Sequence, residues 1–118
     1  MIKLAVIVAL MMTVASGGVS AGDNKGKTCL AEAMYYEARD QGWRGMLAVG
    51  VVIQNRVRDS RYPGDVCSVV TQGKYWRGNP VRHKCQFSYY CDGKPERPAE
   101  KEAWTTALSI AELLTTTE

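Results

Sequence analysis

Between Trp43 and Val57 the apolar side chains fall on almost every face of a helix. Met46, Leu47, Val49, Val51, Val52 and Ile53 leave no broad polar stripe, which is the pattern of a helix covered on all sides. Gly50 and Ala48 sit inside this run and would let a neighbouring element approach closely. A chain with such a helix must wrap other elements around it. The expectation is a small, mainly α (α+β) domain built round a central buried helix. A preceding helix is predicted from Cys29 to about Arg39, with Thr28 as N-cap and Gly42 as its stop. Pro63-Gly64 ends the central helix region. Asp65 is placed to cap a short helix through Thr71. A last helix is predicted from about Pro98 to Leu114, with Pro98 in its first turn and Glu100 and Glu102 at its positive end. Gly73 to Pro95 reads as loop with a short hairpin, rich in aromatic residues.

The 118 residues allow one domain. The N-terminus narrows that further. Lys3 precedes an apolar run from Leu4 to Val14, broken only by Thr13, and small residues follow up to Val19-Ser20-Ala21. Residues 1–21 therefore read as a secretory signal. The run is short for a membrane span, which needs about 20 apolar residues. Residues 22–118 form the predicted domain, led by a polar stretch from Gly22 to Lys27. The expected product is a secreted or periplasmic monomer with no membrane contact after cleavage. Export permits disulfides, and Cys29, Cys67, Cys85 and Cys91 allow three pairings that the sequence leaves open.

A formal charge of +3 is too mild for a dedicated nucleic-acid binder. The charge is uneven, however. Residues 39–84 carry nine basic and three acidic side chains, whereas residues 85–118 carry three basic and six acidic ones. The basic middle suits an anionic polymer, although a solvated surface would look the same. The one histidine, His83, stands in a basic loop without further ligands nearby, so no metal and no cofactor is expected.

Glu37 breaks the pattern. Leu30, Met34 and Glu37 recur on one stripe of the predicted first helix. A carboxylate on an apolar stripe is costly unless it is paired or protonated. Burial raises its pKa, and a carboxylic acid that holds its proton near neutrality suits a glycosidic leaving oxygen. The alternative is a structural ion pair with Arg39, Arg44 or Arg56. Glu32 and Asp40 fall off the stripe and read as solvent-facing.

Four stretches in order carry a resemblance: Ala33-Met34-Tyr35-Tyr36-Glu37-Ala38-Arg39, then Ala48-Val49 through Asn55-Arg56-Val57, then Tyr62-Pro63 with Val66-Cys67-Ser68-Val69-Val70, and then Cys85-Gln86-Phe87-Ser88-Tyr89-Tyr90-Cys91-Asp92-Gly93. Together they resemble the cell wall hydrolases of the spore cortex-lytic enzyme type (SleB-like). The resemblance implies a lysozyme-like fold. It also implies cleavage of peptidoglycan between N-acetylmuramic acid and N-acetylglucosamine, by a lytic transglycosylase reaction with Glu37 as general acid and base. It makes peptidoglycan the partner. If a second acid takes part, Asp92 is the first candidate and Asp65 the second. Gln86 and Ser88 are expected to face substrate while Phe87 and Tyr89, alternating with them, pack. Tyr36 and Tyr89 remain candidates for lining the cleft. Asn55 and Arg56 read as a tie between the central helix and a loop.

Members of that family usually continue past the last helix with a glycine- and aromatic-containing segment, whereas this chain stops at Glu118, and Asp40 stands where relatives commonly have Gly. That departure carries a second expectation from another class: a C-terminally truncated wall-binding or inhibitory module without turnover.

Overall fold

The computed structural model describes residues 21–94 and 97–116, so the signal read at residues 1–21 lies outside them except for Ala21. Helix α1 (Ala21–Ala38) is the hub. It packs on α2 (Gly42–Arg58), α3 (Val66–Val70) and α4 (Lys101–Thr116). Leu30, Ala31, Ala33, Met34, Tyr35 and Ala38 are all buried. The fold is mainly α with one two-stranded hairpin, as expected, but the central buried helix is α1 and not α2. In α2 only Met46, Gly50, Ile53 and Gln54 are buried, while Trp43, Val51 and Val52 are exposed. The physical reason is size. A domain this small has too little chain to cover two helices on every face.

The close approach at Gly50 is real. A Cβ there would stand 2.6 Å from the Leu114 Cδ1 and 2.7 Å from the Met34 Sδ, so three helices meet at this one missing side chain. Gln54 beside it is buried and donates from Nε2 to the Leu114 carbonyl at 3.3 Å. The Tyr35 hydroxyl, deep under α4, accepts from the Glu100 backbone N–H at 3.0 Å. Both contacts satisfy polar atoms that burial would otherwise strand.

Three local expectations are corrected. Residues 22–27 belong to α1 instead of forming a lead-in, and Lys27 pairs with Glu112 of α4. Thr28 is consequently inside the helix, where its hydroxyl donates to the Asn24 carbonyl and caps nothing. Pro98 precedes the last helix, which begins at Lys101 with Trp104 N–H bonded to the Glu100 carbonyl. Asp65 does cap α3: its carboxylate accepts from the Ser68 N–H at 2.9 Å and the Ser68 hydroxyl at 2.7 Å.

The hairpin pairs β1 (Gly73–Trp76) with β2 (Asn79–Cys85), Tyr75 opposite Pro80 and Trp76 opposite Asn79. Arg77 and Gly78 turn the chain with φ of 51° and 81°. Two left-handed residues give a turn whose twist matches that of the strands. The cysteines pair as Cys29–Cys67, which ties α1 to α3, and Cys85–Cys91, which ties the end of β2 to a 3₁₀ turn at Ser88–Cys91.

Candidate active site

Glu37 is the last residue but one of α1. The helix stops because Arg39–Gln41 tightens into a 3₁₀ turn and Gly42, at φ 69°, reverses the chain into α2. That reversal lays one face of α2 beside the end of α1. Ala48, Val49, Val52 and Arg56 come from that face, and Gln86 and Phe87 come from the segment after β2. With Glu37 they line an open cavity of about 270 Å³.

The stripe was right in direction and wrong in depth. Leu30 and Met34 are fully buried, but Glu37 emerges at the surface, where its carboxyl opens into the cavity. Partial loss of water there raises its pKa above the ordinary carboxylate value. The ion pair weighed for Glu37 is absent among the described residues. Arg39 lies 3.7 Å from Glu100 and 3.8 Å from Asp40. Arg44 stands over the Trp43 ring. Arg56 shares the cavity but is held over two rings, 5.2 Å from the centre of Tyr62 and 5.7 Å from that of Phe87. Both distances lie within the range of cation–π attraction.

The alternation along residues 86–89 holds. Phe87 and Tyr89 are buried, while Gln86 and Ser88 are exposed. The structure nevertheless divides the expected site residues between two cavities. Gln86 joins Glu37. Tyr36, Ser88, Tyr89 and Asp92 line a neighbouring cavity of about 340 Å³ with Arg39, Lys94 and Arg97. There the Tyr36 and Tyr89 rings stack with centres 4.9 Å apart. Asp92 accepts from the Lys94 N–H at 2.8 Å. Asp65 lies in neither wall, and its bonds to Ser68 hold its carboxyl below the usual carboxylate range.

Sequence reasoning missed the cavity wall. Val49 and Val52 were expected in the core, Ala48 at a close approach by a neighbouring element, and Arg56 as a structural tie. The available signal was the spacing of 49, 52 and 56, which puts them on one face of α2. His83 is exposed on β2. Among the described residues no three His, Cys, Asp or Glu side chains gather to hold a metal ion.

The shape is therefore a small helical domain with an acid in an open cleft. Residues 40–117 match the Cell Wall Hydrolase family, two thirds of the chain, and the protein belongs to that family. The match begins three residues after Glu37, so it rests on α2, α3, the hairpin and α4. Neither a curated protein nor a solved structure matches the chain.

Proposed function

We propose that the protein is a lytic transglycosylase that cuts peptidoglycan between N-acetylmuramic acid and N-acetylglucosamine, with Glu37 as acid and then base. The observation that carries this reading is the placement of Glu37: its carboxyl lines a partly apolar cavity, partial loss of water raises its pKa, and among the described residues no counter-charge is bonded to it. Such a group gives up a proton less readily to water than an ordinary carboxyl does, which suits a general acid. Glu37 protonates the glycosidic oxygen as the bond to the anomeric carbon breaks. The 6-hydroxyl of the same muramic residue attacks that carbon and returns its proton to the Glu37 carboxylate. The product is a 1,6-anhydro end, and the acid is regenerated.

One carboxylate suffices for this cycle. Among the described residues Glu37 is the one carboxylate that lines this cavity, an arrangement compatible with internal capture and unlike the paired-acid routes that activate water. Gln86, exposed at the cavity, is suited to an N-acetyl or hydroxyl group. Ser88, Tyr36, Tyr89 and Asp92 are suited to the next part of the strand, in the adjoining cavity. The membership of residues 40–117 and the two bridges support action outside the cytoplasm, and the reading adds a monomer freed of a signal at residues 1–21. This reading also places the domain with the spore cortex-lytic enzymes and the lysozyme-like folds.

The test is mass spectrometry of fragments released from purified peptidoglycan by the oxidised protein, with Glu37→Gln beside it. Anhydro-muramic ends from the wild type alone are expected. Hydrated ends would keep Glu37 and replace the internal capture with water. No fragments from a folded wild type would leave a wall-binding or inhibitory module as the better account.

A further inference from the structure

The hairpin has no place in either cavity wall, yet it carries the most exposed large apolar side chain among the described residues. Trp76 is 69 % exposed and Tyr75 is 45 % exposed. All four residues of β1 face solvent, and outside the hairpin itself β2 packs chiefly on the 3₁₀ turn at Ser88–Cys91. Leaving a tryptophan in water at the end of a projecting ribbon forfeits the burial that its ring would otherwise gain. Charge is concentrated on the same ribbon. Residues 73–85 contain Lys74, Arg77, Arg82 and Lys84 and no acid. The Arg77 guanidinium lies over the Trp76 ring at 5.6 Å, and the Tyr75 hydroxyl donates to the Thr71 carbonyl at 2.5 Å. Both rings are thus steadied in place without being buried.

We propose that this hairpin is a second binding element for the wall, a cationic aromatic arm that grips a peptidoglycan strand outside the Glu37 cavity. The inference rests on the substrate class proposed above. A pyranose ring has an apolar C–H face that stacks on an aromatic ring, and the free carboxylates of the peptidoglycan stem peptides are anionic. Trp76 and Tyr75 supply the stacking surface, and Lys74, Arg77, Arg82 and Lys84 supply the complementary charge. A lipid surface fits less well. The apex of the arm is Arg77-Gly78, so pushing it into hydrocarbon would carry a guanidinium in first.

The experiment is co-sedimentation with insoluble peptidoglycan, in the full chain carrying Glu37→Gln so that the polymer stays intact. Trp76→Ala is expected to weaken binding about tenfold, and Trp76→Phe to retain most of it. Trp43→Ala serves as the matched control. Trp43 is also exposed and also carries a stacked arginine, Arg44 at 5.4 Å, but it stands on α2. Its removal is expected to leave sedimentation within about twofold, because lone surface apolar residues are ordinary. Unchanged binding by Trp76→Ala would overturn the proposal, and so would an equal loss in Trp43→Ala. A loss seen with vesicles of anionic phospholipid and not with peptidoglycan would overturn it in favour of a lipid-binding arm. Sedimentation that depends on Trp76, in a protein whose wild type cuts nothing, would uphold the arm and remove only the catalytic reading.

Discussion

In α1, Leu30, Ala31, Ala33, Met34 and Tyr35 are sealed completely, and three other helices pack against them. In β1, Gly73, Lys74, Tyr75 and Trp76 are all exposed. The two regions lie in one small domain and are built on different terms. The helical body spends its apolar residues on its own stability, and its cleft opens only where α1 runs out at Glu37. The arm hides little and is anchored at its base by the Cys85–Cys91 bridge. On the proposed reading, stability and contact with the wall are carried by different regions of this protein.

Each region can be tested against the other. The largest effect belongs to the cleft: Glu37→Gln is expected to lower turnover of peptidoglycan by about 10²–10⁴-fold with the circular dichroism spectrum unchanged. A loss of fold instead would make Glu37 part of the body. Next, Met34→Ala is expected to cost about 2–5 kcal/mol in chemical denaturation, as for other large-to-small changes in a core. Trp76→Ala should stay within about 0.5 kcal/mol, as for surface sites. Comparable costs would break the contrast between body and arm.

The bridges sharpen it further. In the chain-entropy account, Cys29→Ser with Cys67→Ser should remove about 3–4 kcal/mol, because a long loop is opened, and Cys85→Ser with Cys91→Ser about 2 kcal/mol. Equal losses would mean that the arm's base carries as much of the fold as the body does. Asp65→Ala should cost about 1 kcal/mol at pH 7 through the lost cap of α3. The sign in acid follows from a lowered pKa. The cap's contribution is present above the ordinary value of 3.8 and is lost as pH falls through the lowered one. Wild type and Asp65→Ala should therefore converge in stability toward pH 2.

The smallest effect has the opposite sign. Glu37 has a raised pKa, so the folded protein holds its proton more tightly than the unfolded chain does just above pH 4.5. Its contribution to stability is most favourable below that value and is lost as pH rises through the raised pKa. Glu37→Gln should melt at most a few degrees above wild type at pH 7 and level with it near pH 4. A lower melting point at pH 7 would show that the carboxylate has a stabilising partner.

Much of this was legible in the chain. Local signals located the elements: Asp65 as a cap, Gly42 as a stop, a short hairpin within residues 73–95, and the 86–89 alternation. Each depends on the backbone and side-chain chemistry of a few adjacent residues, which the sequence states in full. The run from Met46 to Ile53 misled, because apolar composition shows only that a helix is able to be buried. Which helix is covered depends on how many neighbours reach it. Arg56 was assigned a tie and not a wall position for the same reason, since Tyr62 and Phe87 meet it only after the chain has turned twice.

The sequence by itself determined the class of fold, the odd carboxylate at Glu37, the small residue at Gly50 and the ordered motifs that point to a wall hydrolase. Periodicity and residue chemistry are local and survive without any tertiary contact. The tertiary structure alone decided that α1 is the hub, that Cys29 joins Cys67 and Cys85 joins Cys91, and that Gln86 lines one cavity with Glu37 while Ser88 and Asp92 line another. It also decided that Trp76 stands in water. These outcomes depend on which distant segments share a limited volume. Close packing settles that for the whole chain at once, so no single stretch carries the answer.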